Sequence, residues 1–552
     1  MQQTDSPSKP SSVACLPCRR RHLKCDALMP VCSRCRAANT ECQYVRSKRG
    51  LRKHTRETSS QPLEESLLLP PDDFLDWRDA TALDFDVPHT LSTQALFQPD
   101  GEAEPDFCLV PDDNLTGLPE GPVGPEVAYD PMIQLFYENF HPSHPFVIPR
   151  KALHSSLCYL IPPYLLSVMR YIGAHFYPNP SLQQALRQPA YGFLSDSAAR
   201  DGFRVQALLL LAIVDHFHGH EQSSHRLLQM AVDLALQIGL TDAAFAATHS
   251  FGHPVVEESW RRTYWELYVV DGLLAAMGEQ SSFQLYHHPA EVQLPCAEKL
   301  YNADNVIPTG QTLEDLQSAW THDQLCSFST FAHRINAVRK LGAVLQLNRS
   351  LESHGDSRTE TAEAHITSSL IALPPLHPVS HDSSFHDEMV FQAQMILYLS
   401  LIHLHHPRSN LRFAPSPSTS CTRLKGSTDR SESNPESSTL DLPSHKLLRA
   451  ADHLSGLATL PSDIHRRSPF FICALGMCVI VHTAALLVLA RSGADTHPAG
   501  REESLNARIQ LGIGALRTLG RVWPFAGVVR GRVVGVYQGV VLGRRPPSLV
   551  TS

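Results

Sequence analysis

Six cysteines fall at positions 15, 18, 25, 32, 35 and 42, and their spacing is one half-unit, C-x2-C-x6-C, written twice. Thiolates are the soft ligands that select zinc, and zinc takes four of them tetrahedrally. A close C-x2-C pair seats two sulfurs on one metal, and a third sulfur returns after a short helix. Three sulfurs per half leave each site one ligand short. Two tetrahedral ions need eight ligand positions, and six sulfurs fill eight only if two of them bridge. The spacing therefore predicts a two-zinc cluster with shared thiolates. A disulfide framework, or a metal-binding knob with no further role, is the plainer alternative.

With this framework in view, the stretch CLPCRRRHLKCDALMPVCSRCRAANTEC resembles the Zn2Cys6 binuclear-cluster domain of fungal transcription factors. Asp26 after the third cysteine and Pro30 in the loop between the halves strengthen the likeness. The resemblance implies that Cys15 and Cys32 bridge two Zn2+ ions. Cys18 and Cys25 would complete one metal, and Cys35 and Cys42 the other. It also implies a first helix lying in the major groove of a CGG-type triplet. By position, Arg21, His22 and Lys24 are the candidates for base contacts, while Arg19, Arg20, Arg34, Arg46, Lys48 and Arg49 are candidates for phosphates. The family usually carries lysine where this chain has His22. A neutral imidazole can still donate one hydrogen bond to guanine but lacks the fixed charge.

Charge is divided unevenly along the chain. Residues 1–54 hold twelve Lys/Arg against three Asp/Glu, a balance of +9 within a chain whose net charge is −8. A small basic head on an acidic body points to a polyanion, here double-stranded DNA, as the partner of the head alone. The basic run QYVRSKRGLRKHTR continues from the last cysteine as a phosphate-contacting arm and a nuclear import signal. No apolar heptad follows in residues 43–70, so dimerisation is left open without a coiled coil. The chain opens on a polar stretch and not on a signal peptide, so a reducing compartment is expected, with the nucleus as destination and the scattered cysteines as thiols.

The expected organisation is mostly α. Residues 1–12 form a disordered tail, 13–45 the cluster domain and 46–61 the basic arm. Residues 62–129 are an acidic, Pro-rich linker. Its stretch Asp72 to Val87 sets Phe74, Leu75, Trp77, Leu83 and Phe85 among acids, a pattern of disordered activation segments that engage transcriptional coactivators; a plain linker is the simpler reading. Residues 130–530 read as a large all-α regulatory domain with a disordered insertion at 409–445, and 531–552 as a tail.

Within that body, residues 130–140 have helical spacing, and prolines 142, 145 and 149 then break it. Gln206 to Leu240 reads as two helices with a break near Gly219 and a stop at Gly239. Glu257 to Gly278 puts Trp260, Tyr264, Leu267, Tyr268 and Asp271 on one face. These two segments resemble the middle homology regulatory domain of the same fungal family, with Glu258, Arg261, Arg262, Trp265 and Asp271 at matching places. Arg261, Arg262 and Asp271 are expected in an ion-pair network between helices. A helix from about His386 ends at His403, His405 and His406, read as solvated imidazoles at a frayed end and not as a metal site. Phe470 to Ala490 is apolar enough to span a bilayer, but a large all-α domain needs fully buried helices, and no membrane is expected as a partner.

No nucleophile elbow, P-loop, dinucleotide fingerprint or H-E-x-x-H stands in the sequence, and no enzyme is expected. The sequence points to a zinc-dependent, sequence-specific regulator of RNA polymerase II transcription, and the resemblance implies one that governs a metabolic pathway or biosynthetic gene cluster. An interaction or scaffold protein with a purely structural cluster is the alternative.

Overall fold

The structure, a computed structural model, describes residues 18, 25–26, 32–38, 125–195, 200–278, 280–288, 291–303, 310–319, 324–325, 327–349, 356–376, 387–411, 440–461, 463–492 and 500–543. The chain divides into two compact units, Met1–Asp112 and Asp113–Ser552. In the first, the described residues are those of the cysteine motif. Cys15, Cys42 and the whole acidic stretch Asp72 to Val87 lie outside them.

The second unit is helical, and no strand occurs among the described residues. Its long helices are α1 (Pro163–Gly173), α2 (Pro180–Tyr191), α3 (Gly202–Phe217), α4 (Glu221–Gln237), α5 (Pro254–Met277), α6 (Thr330–Arg349), α7 (Asp356–Ala372), α8 (Glu388–His405), α9 (Leu442–Gly456), α10 (Phe471–Ser492), α11 (Arg501–Leu519) and α12 (Pro524–Gly543). α3 pairs with α4, and α5 packs against α3, α4 and α6. From α6 the stack continues through α8 and α9 to α10, which α11 and α12 cover.

Local chemistry sets the boundaries that the sequence announces. Asp201 caps α3, its carboxylate accepting from the Arg204 amide at 2.9 Å. Gly219 ends the pair's connection with φ +82°, a left-handed conformation that a side chain disfavours. After α4 the Leu240 amide donates to the Ala235 carbonyl and the Gly239 amide to Leu236, with Gly239 at φ +74°. That is a Schellman stop built on glycine. α5 begins with Pro254 in its first turn, where a missing N–H costs nothing.

α5 is not amphipathic in place. Every residue in it except Pro254 and Glu257 is buried, so the expected single face is only one side of a helix enclosed all round. α10 is likewise a core helix. It is the one helix among the described residues long and apolar enough to cross a membrane, and 89% of its apolar window is buried inside the unit.

Three expectations change. The helix over 130–140 is α-helical only at Pro131–Leu135, widens to a π-turn at Phe136–Phe140 and tightens to a 3-10 turn at His141–Ser143. The prolines that follow remove donors and force this unwinding. The body does not stop at 530, because α12 runs on to Gly543. The insertion is also shorter than 409–445 at both ends. The Asn410 amide donates to Ser444 Oγ at 3.1 Å, and Ser444 Oγ donates to Asn410 Oδ1 at 2.7 Å, so its two ends meet at the start of α9. Residues 412–439 lie outside the described set.

One close approach is testable. A Cβ on Gly173 would stand 1.9 Å from the Met132 carbonyl oxygen, a backbone atom that cannot swing away. Gly173→Ala is expected to destabilise the helical unit by about 1–3 kcal/mol, read as a lower urea midpoint. An unchanged midpoint would mean that the turn at Pro131–Leu135 does not lie against α1.

Candidate zinc cluster and the charged core of the helical unit

Cys32 sits at the N-cap of a short helix, Ser33–Ala37, and its sulfur accepts the Cys35 amide at 3.4 Å. Cys18, Cys32 and Cys35 are all buried, at 3%, 0% and 4% exposure, although the helix itself shows Arg34 and Arg36 to solvent. Their three sulfurs lie within 4.8 Å of one another. Cys18 Sγ and Cys32 Sγ are 3.8 Å apart. That is too far for a disulfide, whose bond is about 2.05 Å. It is the edge expected of a tetrahedron built from Zn–S bonds of about 2.3 Å, roughly 3.8 Å. A second group joins Cys32 to Cys25 and Asp26.

Cys32 thus belongs to both groups. The groups do not sort the other sulfurs as the family pattern would, since Cys18 groups with Cys35 while Cys25, packed against the same cluster, groups with Cys32 and Asp26. The Asp26 carboxylate accepts from the Ser33 amide at 3.2 Å and from the Ser33 hydroxyl, so it fastens the start of the second helix. Four cysteines, Cys18, Cys25, Cys32 and Cys35, are therefore gathered where they could hold a metal ion. Arg34 is exposed beside them, and Arg36, which the sequence reading passed over, is exposed on the same short helix. Arg19, Arg20, Arg21, His22, Lys24, Arg46, Lys48 and Arg49 lie outside the described residues.

In the helical unit, the polar residues of α5 form two clusters. Arg262 is fully buried. It donates to Glu258 at 2.8 Å and to the carbonyls of Pro145 at 3.1 Å and Cys296 at 2.7 Å, pairs with Glu298, and lies 4.1 Å from the centre of the Tyr301 ring. Arg261 pairs with Glu257 and Glu258. One turn on, Glu266 accepts two hydrogen bonds from Arg334 of α6, at 2.6 and 2.8 Å, with neither side chain exposed. His144 Nδ1 adds a third contact at 2.7 Å. Burial pushes the Glu266 carboxyl up, but the Arg334 charge and the His144 hydrogen bond outweigh it and hold the pKa at about 2. Burial also lowers His144, so the neutral ring donates from Nδ1.

The expected ion-pair network is present for Arg261 and Arg262. Asp271 departs from it, since its carboxylate accepts the Leu285 amide at 3.0 Å and caps the turn at Gln284–His287. Burial raises it to about 6 against the pull of the Leu285 and Gln284 amides. Sequence reasoning missed Glu266, Arg334 and His144. Their partners stand 68 and 122 residues away from Glu266; the one local signal was a glutamate inside an otherwise apolar turn, Trp265 to Val270.

The imidazoles at the end of α8 are not all solvated, as the sequence reading expects. His405 is 3% exposed and faces Glu363 of α7 at 3.7 Å, which also takes Lys446 at 2.7 Å. α7 packs onto α8 and covers that end.

Residues 13–51 match the family model of the fungal Zn(2)-Cys(6) binuclear cluster domain, and residues 133–369 that of the fungal specific transcription factor domain. A protein described as C6 finger domain transcription factor iacK, from Pestalotiopsis fici, is 29% identical over 575 residues, covering 96% of this chain and 81% of that protein. No solved structure matches. The second match ends inside α7, while α8 packs on α6 within one unit.

Two predictions follow from the buried charges. Arg334→Met leaves Glu266 without its cation and is expected to cost about 3–5 kcal/mol in urea unfolding. The double variant Arg334→Met/Glu266→Leu should recover much of that loss, whereas equal losses in single and double variants would deny the pairing. Acid should destabilise the unit well before carboxylates titrate. Burial lowers His141 to about 4, His175 to about 3 and His405 to about 4. Between these values and an unfolded pKa near 6.5, the unfolded chain binds more protons, so stability present above pH 6.5 declines towards pH 4. The raised carboxyls of Asp271, Glu298 and Glu388 work the other way over part of that range, but burial also lowers His218, His403 and His406 to about 4. A urea midpoint that is flat from pH 7 to pH 5 would contradict this.

Proposed function

Because this chain belongs to the fungal Zn2Cys6 binuclear-cluster transcription factors, we propose that it is a nuclear regulator of RNA polymerase II transcription that reads CGG-type triplets in the major groove. It is a transcription factor and not an enzyme, and its chemistry is binding. The observation that carries the reading is the place of Cys32 in two potential ligand groups at once, which suits a thiolate shared by two ions. In this proposal Cys15 and Cys32 bridge, Cys18 and Cys25 complete one ion, and Cys35 and Cys42 the other. Zinc supplies the fold of a head too small to bury a core of its own. Arg21, His22 and Lys24 then face the bases. Arg19, Arg20, Arg34, Arg46, Lys48 and Arg49 neutralise phosphates, so affinity falls steeply with salt. Acidic residues in the remainder of the chain outnumber basic ones by 17, which leaves the head to meet the polyanion.

The helical unit is the regulatory part, with Asp72 to Val87 as the segment offered to coactivators. The targets are the genes of one metabolic pathway or biosynthetic cluster. The relative from Pestalotiopsis fici, a transcription factor by its description, supports the class of function.

The experiment is selection from random duplexes by the zinc-loaded full chain beside Cys32→Ala, with zinc counted by mass spectrometry. Two zinc ions per chain and enrichment of a CGG-like triplet are expected, both lost in the variant. One triplet means a monomeric reader, and two at fixed spacing a dimer. Two bound ions with no enriched sequence would leave a structural cluster and the scaffold reading.

A further inference from the structure

Beside α5 and α6 lies an open cleft of about 570 Å³ that neither zinc nor DNA accounts for. Its walls are aromatic: Tyr264, Trp265 and Tyr268 from α5, and Tyr286 from the turn that Asp271 caps. These rings are held in place by one another. Trp265 meets Tyr264 and Tyr268 edge-on at 5.0 and 5.6 Å, and Phe283 bridges Tyr268 to Tyr286 at 5.2 and 5.3 Å. The Trp265 indole N–H is already used, donating to the Gln293 carbonyl at 2.9 Å. Tyr286 lies against Gly342, where a Cβ would stand 2.4 Å from its ring. The platform is therefore preformed.

Two of its polar groups, by contrast, are without a partner among the described residues. Tyr264 is fully buried, and its hydroxyl has no hydrogen-bond partner. A buried hydroxyl left unpaired costs free energy, and such groups call for an explanation. Arg339 of α6 lines the same cleft half-buried and makes no ion pair or hydrogen bond among the described residues. Its charge acts on both Tyr268 and Tyr286. Burial raises the Tyr264 and Tyr268 phenols, so they stay protonated donors. The two carboxylates of the cleft, Glu291 and Glu314, are exposed at its rim. They disfavour negative charge at the mouth, so an anion would have to point inward to Arg339.

We propose that this cleft binds a small planar aromatic molecule carrying one acidic group, its ring on the Trp265, Tyr268 and Tyr286 walls and its anionic oxygens on Arg339, with the buried phenol of Tyr264 as a further donor. Volume and shape suit a ligand of a few fused or linked rings. A planar anion pairs with guanidinium through two parallel hydrogen bonds. The site stands on the helical unit alone, so it does not depend on the DNA reading, and makes that unit a sensor of an aromatic acid.

The test uses the zinc-loaded full chain without DNA and two probes of equal shape, 2-naphthoate and neutral 2-naphthamide, followed by calorimetry and tryptophan fluorescence. Saturable binding of one naphthoate per chain is expected, about tenfold or more tighter than the amide, as a hydrogen bond to a charged group implies. Arg339→Gln should erase that preference. Tyr264→Phe should weaken naphthoate several-fold while leaving the thermal midpoint unchanged or raised, because it deletes an unpaired buried hydroxyl. No saturable naphthoate binding overturns the proposal. So does an anion preference that survives Arg339→Gln, or a Tyr264→Phe midpoint that falls as though the hydroxyl served the core. Duplex selection on the same preparation reports on DNA recognition separately.

Discussion

A short segment, residues 143–148, which leaves a 3-10 turn at Ser143 and is irregular from there on, runs through the core of the helical unit, and its carbonyls dictate what surrounds it. Prolines keep it from becoming helix, and it lies where water cannot satisfy it. A buried carbonyl without a donor costs about as much as a lost hydrogen bond. Neighbouring helices therefore bring donors. Gln392 of α8 donates to Ser143, Arg262 of α5 to Pro145, Ser259 of α5 and Gln206 of α3 to Phe146, and Tyr301 to Val147. The Tyr137 hydroxyl closes the end at Ile148. The buried polarity of α5 is the complement of this strand of backbone.

That constraint explains why charges accumulate there. Arg262 carries spare donors and a charge into the interior, so Glu258 and Glu298 accompany it. His144 belongs to the segment itself and reaches Glu266, which in turn requires Arg334. Ser468 stands 3.4 Å from the other nitrogen of His144, and its amide donates to Glu388, the partner of Arg467. A chain of polar contacts thus links α5, α6, α8 and the loop before α10. Such a network specifies one arrangement of helices more sharply than apolar packing does, because any shift leaves a charge unpaired.

The same logic separates what was legible in the sequence from what was not. Stops at Gly219 and Gly239 could be read because a left-handed turn demands glycine locally. The cysteine spacing could be read because ligand geometry is encoded within a few residues. Glu266 could not be assigned a partner, since Arg334 and His144 reach it only through the tertiary fold. The burial of His405 was hidden for the same reason, as α7 covers it from 42 residues upstream. α12 was illegible for another reason. Gly527, Gly531, Gly535 and Gly539 each disfavour helix by about 1 kcal/mol relative to alanine. Burial of Phe525, Ala526, Val529 and Val533 holds it instead, and propensity gives no hint of that.

The cleft and the buried network share a helix, and this limits how one can affect the other. Arg339 faces the cleft five residues after Arg334, which is locked to Glu266 by two hydrogen bonds. Sliding or rotating α6 would break that pair at a cost of several kcal/mol, more than the 1–3 kcal/mol typical of coupling between sites. α5 is enclosed on all sides and equally fixed. What remains able to respond is the opposite wall, the short helix Leu313–Ser318, which no ion pair holds among the described residues. A ligand drawn in by Arg339 would therefore leave the helices in place and act by ordering or closing that wall. The structure puts rigidity on the side that recognises the ligand and freedom on the side that could signal it.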